Sequence, residues 1–382
     1  MNRQKLIIMA TVFVDVLGFG IVIPILPFYL MEFGASAFTI TVLFSAFSLC
    51  AFLSAPLLGA VSDRIGRRPV LLLSIFSTSI GWFVFASAIS IPFLFIGRMI
   101  DGLAAGNFTT AQSYLVDISR NDEKERVKNL GIIGATFGIG FILGPMVGGI
   151  LSTVSHAFPF YFAGAMALVN GISAFFFLEE SHTVRNTQSL RYNPIAPILR
   201  AFRPSPLREI YIKWFLFSLA FVVVHTIFAL FAKRAFGFTA VQTGSIFTVV
   251  GVVIALNQVL LLNTFWKKQF SDHQLELIML SFVVIGLLLA STQYLALFFI
   301  ALPFIGTSQA IYRVVVSNQA ILKADPLMKG EVLGTIASMM TVSMAITPIA
   351  AGSLFEMNIS YPFIAGAAVV IVAIILSYKN ST

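Results

Sequence analysis

The sequence predicts an all-α integral membrane protein with twelve transmembrane helices arranged as two six-helix bundles. Three observations predict it. Charged residues are only 10% of the 382-residue chain while apolar residues are 58%, against about 25% charge in a soluble domain. Twelve stretches approach the roughly 20 apolar residues that cross a bilayer. The longest polar interruption falls near the middle of the chain and divides those stretches six and six. A surface this poor in charge excludes an ordinary water-soluble enzyme and a disordered chain. One cysteine, Cys50, excludes a disulfide framework and any cysteine-cluster metal site.

The spans follow in order. Span 1 covers 6–30, behind Arg3 and Lys5. It exceeds the apolar core of a leader peptide, contains Asp15 and lacks an Ala-x-Ala pattern, so it reads as a retained helix. Span 2 covers 38–60 and ends in a glycine- and arginine-rich turn; span 3 covers 70–88, behind Pro69. Span 4 (92–116) carries Arg98 and Asp101, and span 5 (128–152) is rich in glycine. Span 6 covers 158–178. The segment 179–208 then brings five arginines (Arg185, Arg191, Arg200, Arg203, Arg208) and four prolines, the composition of a linker. Spans 7 to 12 cover 209–232, 241–263, 275–292, 294–316, 331–354 and 360–378. The domains are therefore 1–178, a linker 179–208, and 209–382. At about 32 residues per span and connection (382/12), little length remains for a soluble domain.

The basic residues give the orientation, because short cytoplasmic loops collect Lys and Arg. Nineteen of the 24 lie on one side: Arg3, Lys5, Arg64, Arg67, Arg68, Arg120, Lys124, Arg126, Lys128, the five linker arginines, Lys267, Lys268, Lys323, Lys329 and Lys379. Only Lys233 and Arg234 mark the other side. Both termini and the linker are expected in the cytoplasm. Topology accounts for the net charge of +8, which leaves no support for nucleic-acid binding.

The halves also echo each other. Pro145 of Gly144-Pro145-Met146-Val147-Gly148-Gly149 and Pro348 of Thr347-Pro348-Ile349-Ala350-Ala351-Gly352 are 203 residues apart, and Gly59 and Asn263 are 204 apart. Parallel six-span repeats are a transporter architecture.

The connection after span 2 reads Gly59-Ala60-Val61-Ser62-Asp63-Arg64-Ile65-Gly66-Arg67-Arg68-Pro69. With the twelve spans, this resembles the major facilitator superfamily. The resemblance implies a charge latch on the cytoplasmic side: Asp63 against the start of span 11, and Arg67 with Asp117 at the end of span 4. Gly59, Arg64, Gly66 and Arg68 complete that gate. Asp15 to Gly20 with Pro24 and Pro27, Arg98-Met99-Ile100-Asp101-Gly102, and the span 5 pattern of Gly140, Gly144, Pro145, Gly148 and Gly149 narrow the likeness. They are similar to the drug:proton antiporter branch that includes the tetracycline exporters. That branch implies proton-driven efflux of a small amphipathic compound by alternating access, with no cofactor. It implies a monomer working in a bacterial inner membrane. The sequence departs from the tetracycline exporters at span 3, where Gly81 stands near the position of their acidic residue, and across 277–292, which is uncharged. Those departures favour the alternative of a specific exported metabolite, such as a siderophore or sugar-like compound. A third reading, a non-transporting membrane sensor or lipid-handling protein, needs the same scaffold without this transport. No nucleotide loop or catalytic triad suggests an enzyme.

Within the spans, Asp15, Arg98, Asp101 and His225 are the ionisable groups expected well inside. A charge at mid-bilayer costs about 2.5–3.5 kcal/mol on insertion scales, so such groups are commonly paired or functional. Arg98 and Asp101, three apart, share a helix face. An Asp15–Arg98–Asp101 cluster facing a cavity is the expected proton-coupling group, because burial and a nearby arginine pull a carboxyl's proton affinity in opposite directions. The competing reading of Arg98 and Asp101 is a static neutralising pair. Gln112, His225, Asn257, Gln258 and Gln309 are the polar residues expected to meet substrate. Gly134, Gly138, Gly144 and Gly148 are expected to form one close-packing row.

Overall fold

The computed structural model describes residues 3–119, 122–181, 194–203, 205–325 and 328–379. Arg120, Arg185, Arg191 and Pro204 of the sequence argument lie outside them. The described chain is helical. It runs α1 (Arg3–Met31), α2 (Ala37–Ile65), α3 (Arg67–Ala86), α4 (Ile91–Leu103), α5 (Asn107–Asp117), α6 (Glu123–Leu151), α7 (Phe158–Phe177), a short α8 (Ala196–Ala201) and α9 (Arg208–Phe236). It continues with α10 (Ala240–Leu256), a π-helical stretch Asn257–Trp266, α11 (Lys267–Gln269), α12 (Asp272–Ser291), α13 (Leu295–Lys323), α14 (Lys329–Met357) and α15 (Tyr361–Lys379).

Eleven of the described helices are long and apolar enough to cross a membrane. The expected fourth span is the exception, because it is two pieces, α4 and α5, separated by Ala104–Gly106. The break leaves carbonyls without their helical partners, and neighbouring hydroxyls take them up. Ser77 donates to Ile100 O at 2.9 Å and Ser54 to Gly102 O at 2.7 Å. A broken helix survives at membrane depth only where such donors re-satisfy its backbone. The 29-residue helices α1, α2, α6, α9, α13 and α14 reach about 43 Å at 1.5 Å per residue, longer than the hydrocarbon core.

Helix ends carry the expected chemistry. Asp122 accepts from Glu125 N at 3.0 Å to start α6, and Ser271 with Gln274 forms a capping box on α12. Gly237 ends α9 at φ 69°, a left-handed conformation that glycine adopts without strain.

The chain forms two compact units. The first comprises Met1–Ala35, Ala46–Asn193 and Ala240–Thr248; the second comprises Ser36–Ser45, Pro194–Thr239 and Val249–Thr382. In the first, α1 runs through the centre, packed on α5, α6 and α7. Its hydrophobic core gathers Ile8, Val12, Leu71, Ala111 and Tyr114. In the second, α9 packs on α14 and α15, and Trp214, Phe217 and Tyr312 stack at its centre.

Candidate functional site: a buried polar cluster on α1, α3, α4 and α5

Close helix approach builds the site. A Cβ on Gly81 of α3 would lie 2.9 Å from both Gly97 O and Asp101 Cβ, and one on Gly97 would lie 2.7 Å from Phe85 N. These two glycines let α3 and α4 touch backbone to backbone, which brings Asp101 beside Thr78. The same contact explains the departure at Gly81. No side chain fits there, and the carboxyl in that neighbourhood comes from Asp101 on the next helix.

Arg98 and Asp101 form the expected i,i+3 pair, Nη1 to Oδ2 at 3.0 Å, and both are buried. The guanidinium lies 3.9 Å from the Phe47 ring centroid and 5.1 Å from that of Trp82, so aromatic faces share the charge with Asp101. Asp15 joins the pair through intermediates. Its Oδ1 accepts from Asn107 Nδ2 at 2.8 Å, and the same nitrogen lies 3.3 Å from Thr78 Oγ1. The Thr78 hydroxyl in turn lies near the Asp101 carboxyl. Asn107 opens α5 directly after the break, and is 3% exposed. Neither Asn107 nor Thr78 stood out in the sequence. Each is a neutral polar residue among other small polar residues, Thr78 between Ser77 and Ser79 and Asn107 ahead of Thr109 and Thr110, and only folding reveals the contact between Asn107 and Asp15, 92 residues away.

The turn between α2 and α3 is a second cluster. Arg67 Nη1 meets Asp63 Oδ1 at 2.6 Å, and Nε meets Asp117 Oδ2 at 3.0 Å. Ser62 Oγ accepts from Arg67 at 2.5 Å and donates to Gly59 O at 2.7 Å. Gly66 has φ 109°, and a Cβ there would strike the Glu180 carboxylate, so glycine is required twice over. Glu180, which the sequence reading passed over, accepts from Arg67 N at 2.8 Å and Arg68 N at 3.1 Å. It caps the N-terminus of α3, where exposed N–H groups and the helix dipole favour an anion. Arg68 donates to Phe175 O at 2.7 Å, and Arg64 lies at the end of α2.

The span 5 glycines sort themselves by contact. A Cβ on Gly144 would lie 2.8 Å from Gly20 Cα and Leu17 O; one on Gly140 would meet Val16 at 3.2 Å, and one on Gly148 would meet Ile25 at 3.1 Å. The row that presses α6 onto α1 is therefore 140, 144 and 148. The expected members Gly134 and Gly138 have no described atom within 4 Å of a Cβ, because their spacing places them off the α1 face. Gly149 approaches Val241 Cα at 3.2 Å, and Pro145 O touches the Gly244 position.

The remaining candidates scatter. His225 is buried, stacked on Phe221 with Nδ1 3.0 Å from Phe221 O. Asn257 donates to Thr307 Oγ1 at 3.2 Å and accepts from Trp266 Nε1 at 3.0 Å, and Gln258 donates to Ala310 O at 3.3 Å. These two tie the π-helical stretch to α13. Gln309 is buried and Gln112 half-buried. The expectation that few ionisable groups lie inside the spans needs correction in the second unit. Lys213 and Glu276 are both buried, Nζ to Oε1 at 2.5 Å, with Glu209, Ser377 and Gln319 completing the set. The expected span 275–292 holds Glu276 at its very edge, whereas α12 starts at Asp272 and sets Glu276 one turn inside the helix.

The Major Facilitator Superfamily profile matches residues 8–320. The chain belongs to that superfamily. Among curated superfamily relatives, Multidrug resistance protein 2 of Bacillus subtilis is 26% identical over 98% of this chain and 94% of its own length. The class C tetracycline resistance protein of Escherichia coli is 28% identical over 98% and 96%. The quinolone resistance protein NorA of Staphylococcus aureus is 27% identical over 98% and 96%. Among solved structures, the human organic anion transporter MFSD10 superposes with TM-score 0.72 at 23% identity, covering 98% of this chain and 99% of that one. The nucleoside transporter NupG gives 0.79 at 15%, covering 99% and 98%. The superfamily fold expected from the sequence is thus the observed one. The protein is a multi-pass membrane transporter of small molecules and not an enzyme.

Proposed function

We propose that this superfamily member exports a small amphipathic organic compound in exchange for protons, by alternating access. The observation that carries the reading is the buried run Asp15–Asn107–Thr78–Asp101–Arg98 in the first unit. Ionisable groups at membrane depth mark ion paths and proton relays. Drug-resistance relatives that align along nearly the full chain support efflux, and their names supply the substrate class of the proposal.

In this reading Asp15 and Asp101 carry the proton and Arg98 compensates the charge. Substrate and proton compete for the same carboxylates, so binding one on one side releases the other. The proton gradient is the energy source, and no cofactor takes part. The α2–α3 turn, with Asp63, Arg67 and Asp117, is the cytoplasmic latch, and the protein acts as a monomer in a bacterial inner membrane. The reading of a single exported metabolite stays open on one observation: Gly81 excludes the side chain that the tetracycline exporters place nearby.

The test is proteoliposomes with an imposed pH gradient, assayed for uptake of tetracycline and of norfloxacin, with a wider drug and metabolite screen in cells. Asp15→Asn and Asp101→Asn, reconstituted in equal amount, should each lose gradient-driven uptake while binding persists. Unchanged uptake in both removes the coupling assignment.

A further inference from the structure

Asp15 and the Arg98–Asp101 pair stand on different helices, and Asn107 and Thr78 are the side chains between them. Asn107 uses Nδ2 twice, toward Asp15 at 2.8 Å and toward Thr78 at 3.3 Å. Having accepted from Asn107, the Thr78 hydroxyl keeps its own proton to donate, and the Asp101 carboxyl is the acceptor near it. One atom of the run is unmatched. Asn107 Oδ1 is buried and finds no donor among the described residues. An unsatisfied buried acceptor costs about 1–3 kcal/mol, and nothing described there holds the carboxamide by its oxygen. A carboxamide has one donating end and one accepting end. The first suits a carboxylate, the second a carboxylic acid.

We propose that Asn107 is the positioning residue that links Asp15 to Asp101, its carboxamide presenting Nδ2 to Asp15 when that carboxyl is charged and Oδ1 when it carries a proton. The inference rests on the proton-exchange reading above. The step adds one proton, taken from water, to one Asp15 oxygen. Asn107 gains and loses no atom and only exchanges partners. The new Asp15 O–H finds its acceptor in the turned amide. Thr78 then faces an oxygen instead of an N–H, and its hydroxyl can swing to donate there. Asp101 is left with Arg98 alone. A proton on one carboxyl is thereby felt at the other through two neutral side chains.

The other charges around α1 are engaged elsewhere or lie at helix ends. On α6 they are Glu123, Lys124, Glu125, Arg126 and Lys128, with Glu125 paired to Lys5. Asp117 on α5 pairs with Arg67, and α7 carries no charge. Tyr114 of α5 donates to Glu179 O, and Tyr161 of α7 meets Ser87.

Infrared difference spectra of the full-length protein in lipid, recorded from about pH 5 to about pH 9, test the link without knowledge of the substrate. The band of protonated Asp15 is the one missing in Asp15→Asn. Asn107→Leu, similar in size and unable to hydrogen-bond, should move that band to higher frequency, and Asn107→Gln should move it back part of the way. In the wild type, Asp101→Asn should shift the pH midpoint of the Asp15 band. In the Asn107→Leu background, and with Thr78→Val, that shift should shrink. If Asn107→Leu fails to fold, Asn107→Ser is read in its place. An Asp15 band with unchanged frequency and unchanged response to Asp101→Asn in these variants overturns the proposal and leaves proton exchange standing. An Asp15 that never protonates across the range overturns proton exchange itself.

Discussion

At the residue scale, the two units treat buried charge differently. In the first, Arg98 is held by one carboxylate and two aromatic faces, and a carboxyl on another helix is reached only through neutral amide and hydroxyl groups. In the second, Glu276 meets Lys213, Ser377 and Gln319 together, which is a saturated arrangement. Removing one partner of such a pair strands the other charge at a cost of about 3–5 kcal/mol, whereas replacing both by apolar groups is often neutral. Lys213→Met alone should therefore lower the thermal unfolding midpoint in detergent sharply, and Lys213→Met with Glu276→Leu should recover most of it. A double variant as unstable as the single one would show that the pair does more than neutralise itself. Glu180 makes a smaller contribution. Glu180→Gln keeps the shape but loses the anion on two N–H donors, and should cost about 1 kcal/mol, read as a modest fall in the same midpoint.

At the element scale, the packing of α1 on α6 depends on glycines whose missing side chains are replaced by the neighbouring backbone. Gly144→Ala places a methyl 2.8 Å from Gly20 Cα, so the helices must separate. Gly138→Ala meets no described atom and gains helix propensity of up to about 1 kcal/mol. The expected outcome is a strong loss of transport and folded yield in Gly144→Ala, with Gly138→Ala equal to the wild type or more stable, measured by reconstituted uptake and unfolding midpoint. Equal behaviour of the two variants would refute the contact assignment. The break between α4 and α5 belongs at the same scale. It places Asn107 at the start of a new helix, with Gly106 filling a space that a Cβ would share with Leu58 and Ser74 at 3.0 Å.

At the scale of the whole molecule, the hydropathy of the chain made the membrane-spanning helices legible. The reason is physical: a lipid-facing helix must be apolar along about 20 residues, and that pattern is local. The Arg98–Asp101 pair was legible for the same reason, since three residues on a helix fix a shared face. Contacts between helices were legible only where a motif announced them, as for Arg67 with Asp117. Asn107 beneath Asp15, Glu180 on α3 and Glu276 against Lys213 connect positions 92, 113 and 63 residues apart. No local spacing encodes them. The break in span 4 was also hidden, because Leu103-Ala104-Ala105-Gly106 is as apolar as the helices beside it.

The central claim is that protons and substrate exchange through the carboxyls of the first unit. The most direct measurement is the internal pH of sealed proteoliposomes holding a trapped pH-sensitive dye, followed as a transported compound is added outside with no gradient imposed. The account predicts a proton movement opposite in direction to the compound, present in the wild type and absent in Asp15→Asn with Asp101→Asn. Movement of the compound with no accompanying change in pH, or a pH change that survives the double variant, would contradict it.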